Sequence, residues 1–152
     1  MKKVILGVLF WLAILPVWAS EGVGTVKSQH SFRETVDRLD KALTAKGVTV
    51  FAKFDHAADA QKVGLTLRPT IVYVVGNPKA GTPIMARSQL AAIDLPLKIL
   101  VMEDKDGAVW LAFNTPQAMM KKHGIPEDIG KPFGAAMAIA NEVAGAQAIP
   151  PK

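Results

Sequence analysis

Two apolar, β-branched runs, Leu97–Glu103 and Ala108–Phe113, flank Asp104-Lys105-Asp106-Gly107. A tight hairpin needs positive φ at its turn, and Asp-Gly supplies it at little steric cost. The two runs therefore read as adjacent antiparallel strands, and any sheet this chain forms contains that pair.

The rest of the chain adds elements around the hairpin. Gly22–Gln29 reads as a short strand. Ser31 with Glu34 has the spacing of a capping box, in which hydroxyl and carboxylate each satisfy an orphan backbone amide. Phe32, Val36, Leu39 and Leu43 then recur at helical spacing, and Gly47 falls where a left-handed C-terminal cap belongs. The spacing predicts a helix over 32–46. Val48–Phe54 is β-branched and aromatic, as a strand requires. Asp55 is placed to cap a short helix ending at Gly64. Thr70–Val75 is apolar on both faces, which suits an interior strand. Thr82-Pro83 predicts the start of a helix running to Ile93. Thr115-Pro116 opens another helix that ends at Gly124, and 132–146 reads as an alanine-rich helix. The order predicts an α+β domain: a single, mostly antiparallel sheet of about five strands, with helices packed chiefly on one face.

Composition bears on compartment and chemistry. Met1-Lys2-Lys3 precedes an apolar run over 4–15, then Pro16 and the small-x-small sequence Val17-Trp18-Ala19. This is the layout of a cleavable signal peptide over 1–19, cut after Ala19. Its apolar core is shorter than the roughly 20 residues of a spanning helix. The expectation is a periplasmic or secreted protein, free of the membrane after cleavage, with one domain over 20–148 and a loose tail at 149–152. Lys2 and Lys3 supply two of the formal charges of +5, leaving +3 beyond residue 19. The remaining lysines are scattered, so there is no basic stripe for nucleic acid. With no cysteine, thiol catalysis, disulfide exchange, Cys-ligated metals and covalent haem attachment are excluded.

Several groups are candidates for chemistry. The strand-like run ends abruptly in Gly76-Asn77-Pro78-Lys79, followed by Gly81-Thr82-Pro83. One reading is an anion cradle of loop amides, Asn77, Lys79 and the helix start at Thr82. The other is a plain turn with Lys79 in solvent. His56 stands in the first turn after Asp55, where the positive helix end disfavours imidazolium, and Asp59 lies one turn on. That suits a general base with an orienting carboxylate, or a histidine tying the helix end to the sheet. Lys98 is placed to meet Asp94 or to join Lys79 at the loop. Glu103 and Asp104 read as framing the hairpin turn. Met119 and His123, at i, i+4, form a weak copper(I)-like pair, and Met119 equally suits a core. Serine hydrolysis lacks its G-x-S-x-G pattern.

Three stretches, "FDHAADAQKVGLTLRPT", "GNPKAGTPIMARSQLAAIDLPLKILVMEDKDGAVWLAFNTP" and the C-terminal alanine-rich helix, resemble the family called domain of unknown function 302 (DUF302). The resemblance runs from about Gly24 to Ala146. It implies a compact α+β domain, often a dimer and sometimes exported, with a histidine after the Asp at the place of His56. It supplies no established activity and leaves any cofactor unknown.

Three functions follow as expectations. The first is an exported domain that binds a small ligand, anionic if the loop is a cradle, or a protein partner at the Gly76–Thr82 loop, with Gly76, Asn77, Lys79, Thr82 and Lys98 as contacts. The second is an enzyme using His56 as base, with Asp59, Asn77 and Lys79. The third is a structural or assembly module. The apolar content and the small-residue C-terminal helix also suit a homodimer.

Overall fold

The computed structural model describes residues 22–145; the signal peptide expected over 1–19 and the loose tail expected at 149–152 lie outside them. Five strands form one sheet: β1 (Val23–Lys27), β2 (Thr49–Asp55), β3 (Thr70–Gly76), β4 (Leu97–Glu103) and β5 (Val109–Asn114). Their order is β1-β5-β4-β3-β2, and every neighbouring pair is antiparallel. The expected fold class is what the chain adopts. The hairpin turn forms as read, with Gly107 at φ 76°. Asp104 locks it by accepting from the amides of Asp106 and Ala108 and from Trp110 Nε1 at 2.8 Å.

Strand alternation decides where the core sits. Ile71, Tyr73 and Val75 of β3 stand in register with Val101, Ile99 and Leu97 of β4. With Leu111 and Phe113 of β5, all are buried. On this face lie α1 (Phe32–Ala45), which contributes Leu39 and Leu43, and α6 (Ala135–Ala144), which contributes Ile139, Ala140 and Val143. The intervening residues Val72, Val74, Leu100, Met102 and Trp110 are only half-buried. Gly24 pairs with Phe113, and a Cβ there would come within 2.6 Å of that ring. The edge strand therefore needs a glycine for the phenylalanine to lie flat against it. The buried face of α6 packs on α1 and β5 of its own chain.

Three expectations need correction in detail. Ser31 caps α1 by accepting from the Glu34 amide, but the Glu34 carboxylate does not return to Ser31. It lies instead 3.1 Å from His30 Nδ1 and 2.9 Å from Arg38 Nε, each four residues away in sequence, and the Arg38 guanidinium is a stronger partner than a backbone amide. The helix expected at Thr82-Pro83 begins five residues earlier: α3 spans Pro78–Arg87, with Asn77 as cap and Pro83 inside. A 3-10 turn, Gln89–Ile93, follows it. The C-terminal helix is also shorter than read. It is preceded by α5 (Glu127–Gly130) and a 3-10 turn, Lys131–Gly134. The two remaining helices are α2 (His56–Lys62), capped by Asp55, and α4 (Pro116–His123), capped by Thr115 and closed by Gly124 at φ 62°.

Candidate functional site

The turn after β3 opens onto a cavity of about 630 Å³, within the roughly 300–1,000 Å³ of small-molecule sites. One wall is the sheet, where Val75 and Gly76 end β3 and Leu97 begins β4. Leu95 and Pro96 extend that wall, and Val48 and Phe51 add the start of β2. α3 supplies Ala80, Gly81, Ile84 and Met85. The far wall is the start of α6 and the turn before it, with Lys131, Pro132, Ala135, Ala136 and Ile139. Small residues keep the space open. A Cβ at Gly81 would meet only Leu95 Cδ1, at 3.9 Å.

The lining is apolar apart from Asn77, Thr82 and Lys131, and it includes no acidic side chain. Asn77 is the hinge of the site. Its Oδ1 accepts from the Lys79 amide at 2.9 Å, and its carbonyl accepts from the amides of Ala80 and Gly81. Pro78 has no amide to give. The first-turn amides are therefore already engaged by Asn77, and the loop cannot act as the open anion cradle that its sequence suggested. Lys79 is exposed and does not line the cavity, whereas Gly76, Asn77 and Thr82 do.

The other candidates lie elsewhere. Asp55, just before His56, pairs with Ile71 at one end of β3, whereas Asn77 follows Gly76 at the other. Five residues of strand separate the two ends, about 17 Å. His56 is exposed, and Asp59 pairs with Lys62 at 2.7 Å. His56 and Asp59 thus never meet Asn77 and Lys79, and the catalytic grouping does not assemble. Lys98 pairs in register with Val74, on the face opposite Leu97. Its Nζ donates to the Asp94 carbonyl at 3.4 Å, as one reading of the sequence expected. Met119 is a core residue, and His123 Nε2 lies 2.6 Å from Asp94, so the metal-like pair is spent on packing and on a carboxylate. Among the described residues there is no group of three His, Asp or Glu side chains placed to hold a metal ion.

Asp94 stands one residue before the cavity wall at Leu95 and ties it to the end of α4. Burial works to raise its carboxyl, but hydrogen bonds from Lys122 and His123 outweigh that and hold it below the usual aspartate range. The stabilisation is therefore present above the unfolded value of about 3.9 and is lost as pH falls through the lower folded value. Asp94→Asn is expected to cost about 1–3 kcal/mol at neutral pH, since His123 loses its charged partner. Denaturant unfolding from pH 7 to pH 3 would show the variant's deficit shrinking in acid. A deficit independent of pH would contradict this account.

The comparisons agree with this architecture. The model of the family described as "Domain of unknown function DUF302" matches residues 24–144. The chain belongs to the DUF302 family. A crystal structure of an uncharacterised conserved DUF302 protein from Bacillus stearothermophilus has a TM-score of 0.68 and 19% identity. The match covers 83% of this chain and 98% of that one, and shows the shared fold. Two curated relatives, both called fluoride-specific ion channel FluC 1, come from Brucella suis and Brucella abortus. Each is 38% identical over 110 residues, which is 71% of this chain but 43% and 41% of those proteins. This DUF302 chain thus spans less than half the length of the curated relatives it matches. Among its described residues no helix is long and apolar enough to cross a membrane.

Lys131, Ala135 and the α6 end of the cavity were not legible as site residues. The sequence signal that could have found the cavity is the cluster Gly76, Ala80 and Gly81, small residues that line the hollow between strand and helix.

Proposed function

We propose that this DUF302 chain is a binding domain that takes a small, largely apolar molecule in the cavity between β3, α3 and α6. The observation that carries this reading is the cavity itself: a site of ligand size, walled by aliphatic side chains, at the very turn where the sequence placed a contact loop. The signal-peptide layout of residues 1–19 supports placing this activity in an exported protein. A thermal-shift series with medium-chain alcohols tests the reading, because a ligand of the native state raises the melting point by mass action. Melting points that rise with the logarithm of alcohol concentration once it exceeds the dissociation constant are expected. A flat response across chain lengths would contradict it.

The Brucella relatives favour a second reading, in which the domain serves a partner protein. There a matching stretch shares one polypeptide with a longer remainder in proteins called fluoride channels. Co-sedimentation of this chain with vesicles carrying such a channel, but not with bare vesicles, would support that reading over the first.

A further inference from the structure

The charge of the cavity is one-sided. Among the described residues its only ionisable lining residue is Lys131, at the first position of the 3-10 turn Lys131–Gly134. Lys131 is exposed at the rim, and among the described residues no carboxylate lies within ion-pair distance of it; Lys27, Lys41, Lys79, Lys98 and Lys121 are likewise without one, and what sets Lys131 apart from them is its place in the cavity lining. Asn77 also reaches the cavity, with Oδ1 committed to the Lys79 amide. Its amide nitrogen, a donor, has no partner among the described residues. The polar groups that remain available are thus a cation, an amide donor and the Thr82 hydroxyl, which can also donate, set over an apolar interior that holds no acid. An unpaired ammonium beside a low-dielectric surface favours an anion that brings its own apolar body.

We infer that the ligand is an amphipathic acid: an apolar chain or ring that fills the space between α3 and the sheet, with one carboxylate or comparable anionic head at the rim on Lys131 and Asn77. This rests on the small-ligand reading above and narrows it to a chemical class. It also moves the anionic contact away from Lys79 and the first-turn amides, which Asn77 occupies. The apolar body supplies most of the affinity through burial, and the head supplies orientation and selectivity.

Dodecanoate and dodecanol separate the two levels, since they share a chain and differ in charge. Isothermal titration would use the wild-type protein, Lys131→Gln, and Lys79→Gln as an exposed-lysine control outside the cavity. Dodecanoate is expected to bind wild type about tenfold more tightly than dodecanol, the usual scale of a charge-assisted contact. Lys131→Gln should abolish that preference, bringing dodecanoate down to the affinity of dodecanol, while Lys79→Gln keeps the preference. Equal binding of acid and alcohol by wild type, or a preference that survives Lys131→Gln, overturns the amphipathic-acid inference and leaves the cavity reading in place. Binding of neither compound overturns both. Lys131 is exposed and unpaired, so the substitution carries little risk to folding.

Discussion

Gly81→Leu is expected to weaken binding of a medium-chain alcohol by about ten- to hundredfold, matching the roughly 1–3 kcal/mol cost of forcing extra atoms into filled space. Gly81 lies within α3 and faces the cavity. A Cβ there makes one ordinary contact, with Leu95, so the remainder of a leucine side chain would extend into the space a ligand needs. The same substitution should not harm the fold. Glycine in a helix is about 0.8–1.0 kcal/mol less favourable than alanine, and leucine is nearly as good a helix former as alanine. Stability by denaturant titration should therefore be unchanged or modestly raised while binding is lost. Wild-type affinity in a folded Gly81→Leu protein would mean that the ligand sits elsewhere.

Phe133→Ala is expected to cause the largest loss of stability among the changes considered, about 3–5 kcal/mol. Phe133 is fully buried and is among the bulkiest such side chains. It anchors the turn between α5 and α6, directly beside the cavity residues Pro132 and Ala135. Against a typical total of about 5–15 kcal/mol, that loss is a large fraction. The melting point should fall by roughly 10–20 °C. Ligand affinity should fall too, because the α6 wall depends on this anchor. A loss below about 1 kcal/mol would show that the turn collapses to fill the hole, so that Phe133 does not set the position of the wall.

Much of the fold could be read from local chemistry. Asp106-Gly107 dictates a hairpin wherever the chain places it. Ser31, Asp55 and Thr115 each cap the helix they precede. Thr70–Val75, apolar on both faces, is flanked by strands on both sides. The start of α3 was ambiguous for a physical reason. Asn77-Pro78 and Thr82-Pro83 are both a capping side chain followed by proline, and local propensity does not choose between them. Starting at Asn77 yields a ten-residue helix that buries Ile84 against the core, and this tertiary gain outweighs the cost of Pro83 inside the helix. The site was harder still. Its walls come from residues as far apart as Val48 and Ile139, so no single stretch carries its signature. Of the two readings of the loop at Gly76–Thr82, the geometry agrees with the turn that leaves Lys79 in solvent and not with the anion cradle. Asn77 has the same side chain whether it cradles an anion or caps its own helix, and only the geometry shows the second. His56 attracted notice by residue type, but the register of β2 on β3 puts it at the far end of the strand.

The most direct measurement is a two-dimensional amide NMR titration of the protein with dodecanol. The account predicts saturable shifts concentrated at Gly76, Ala80, Gly81, Ala135 and Ala136, with His56 and the hairpin at Asp104–Gly107 unmoved. Shifts centred on His56 and Asp59, or spread evenly over the surface without saturation, would contradict a ligand site between β3, α3 and α6.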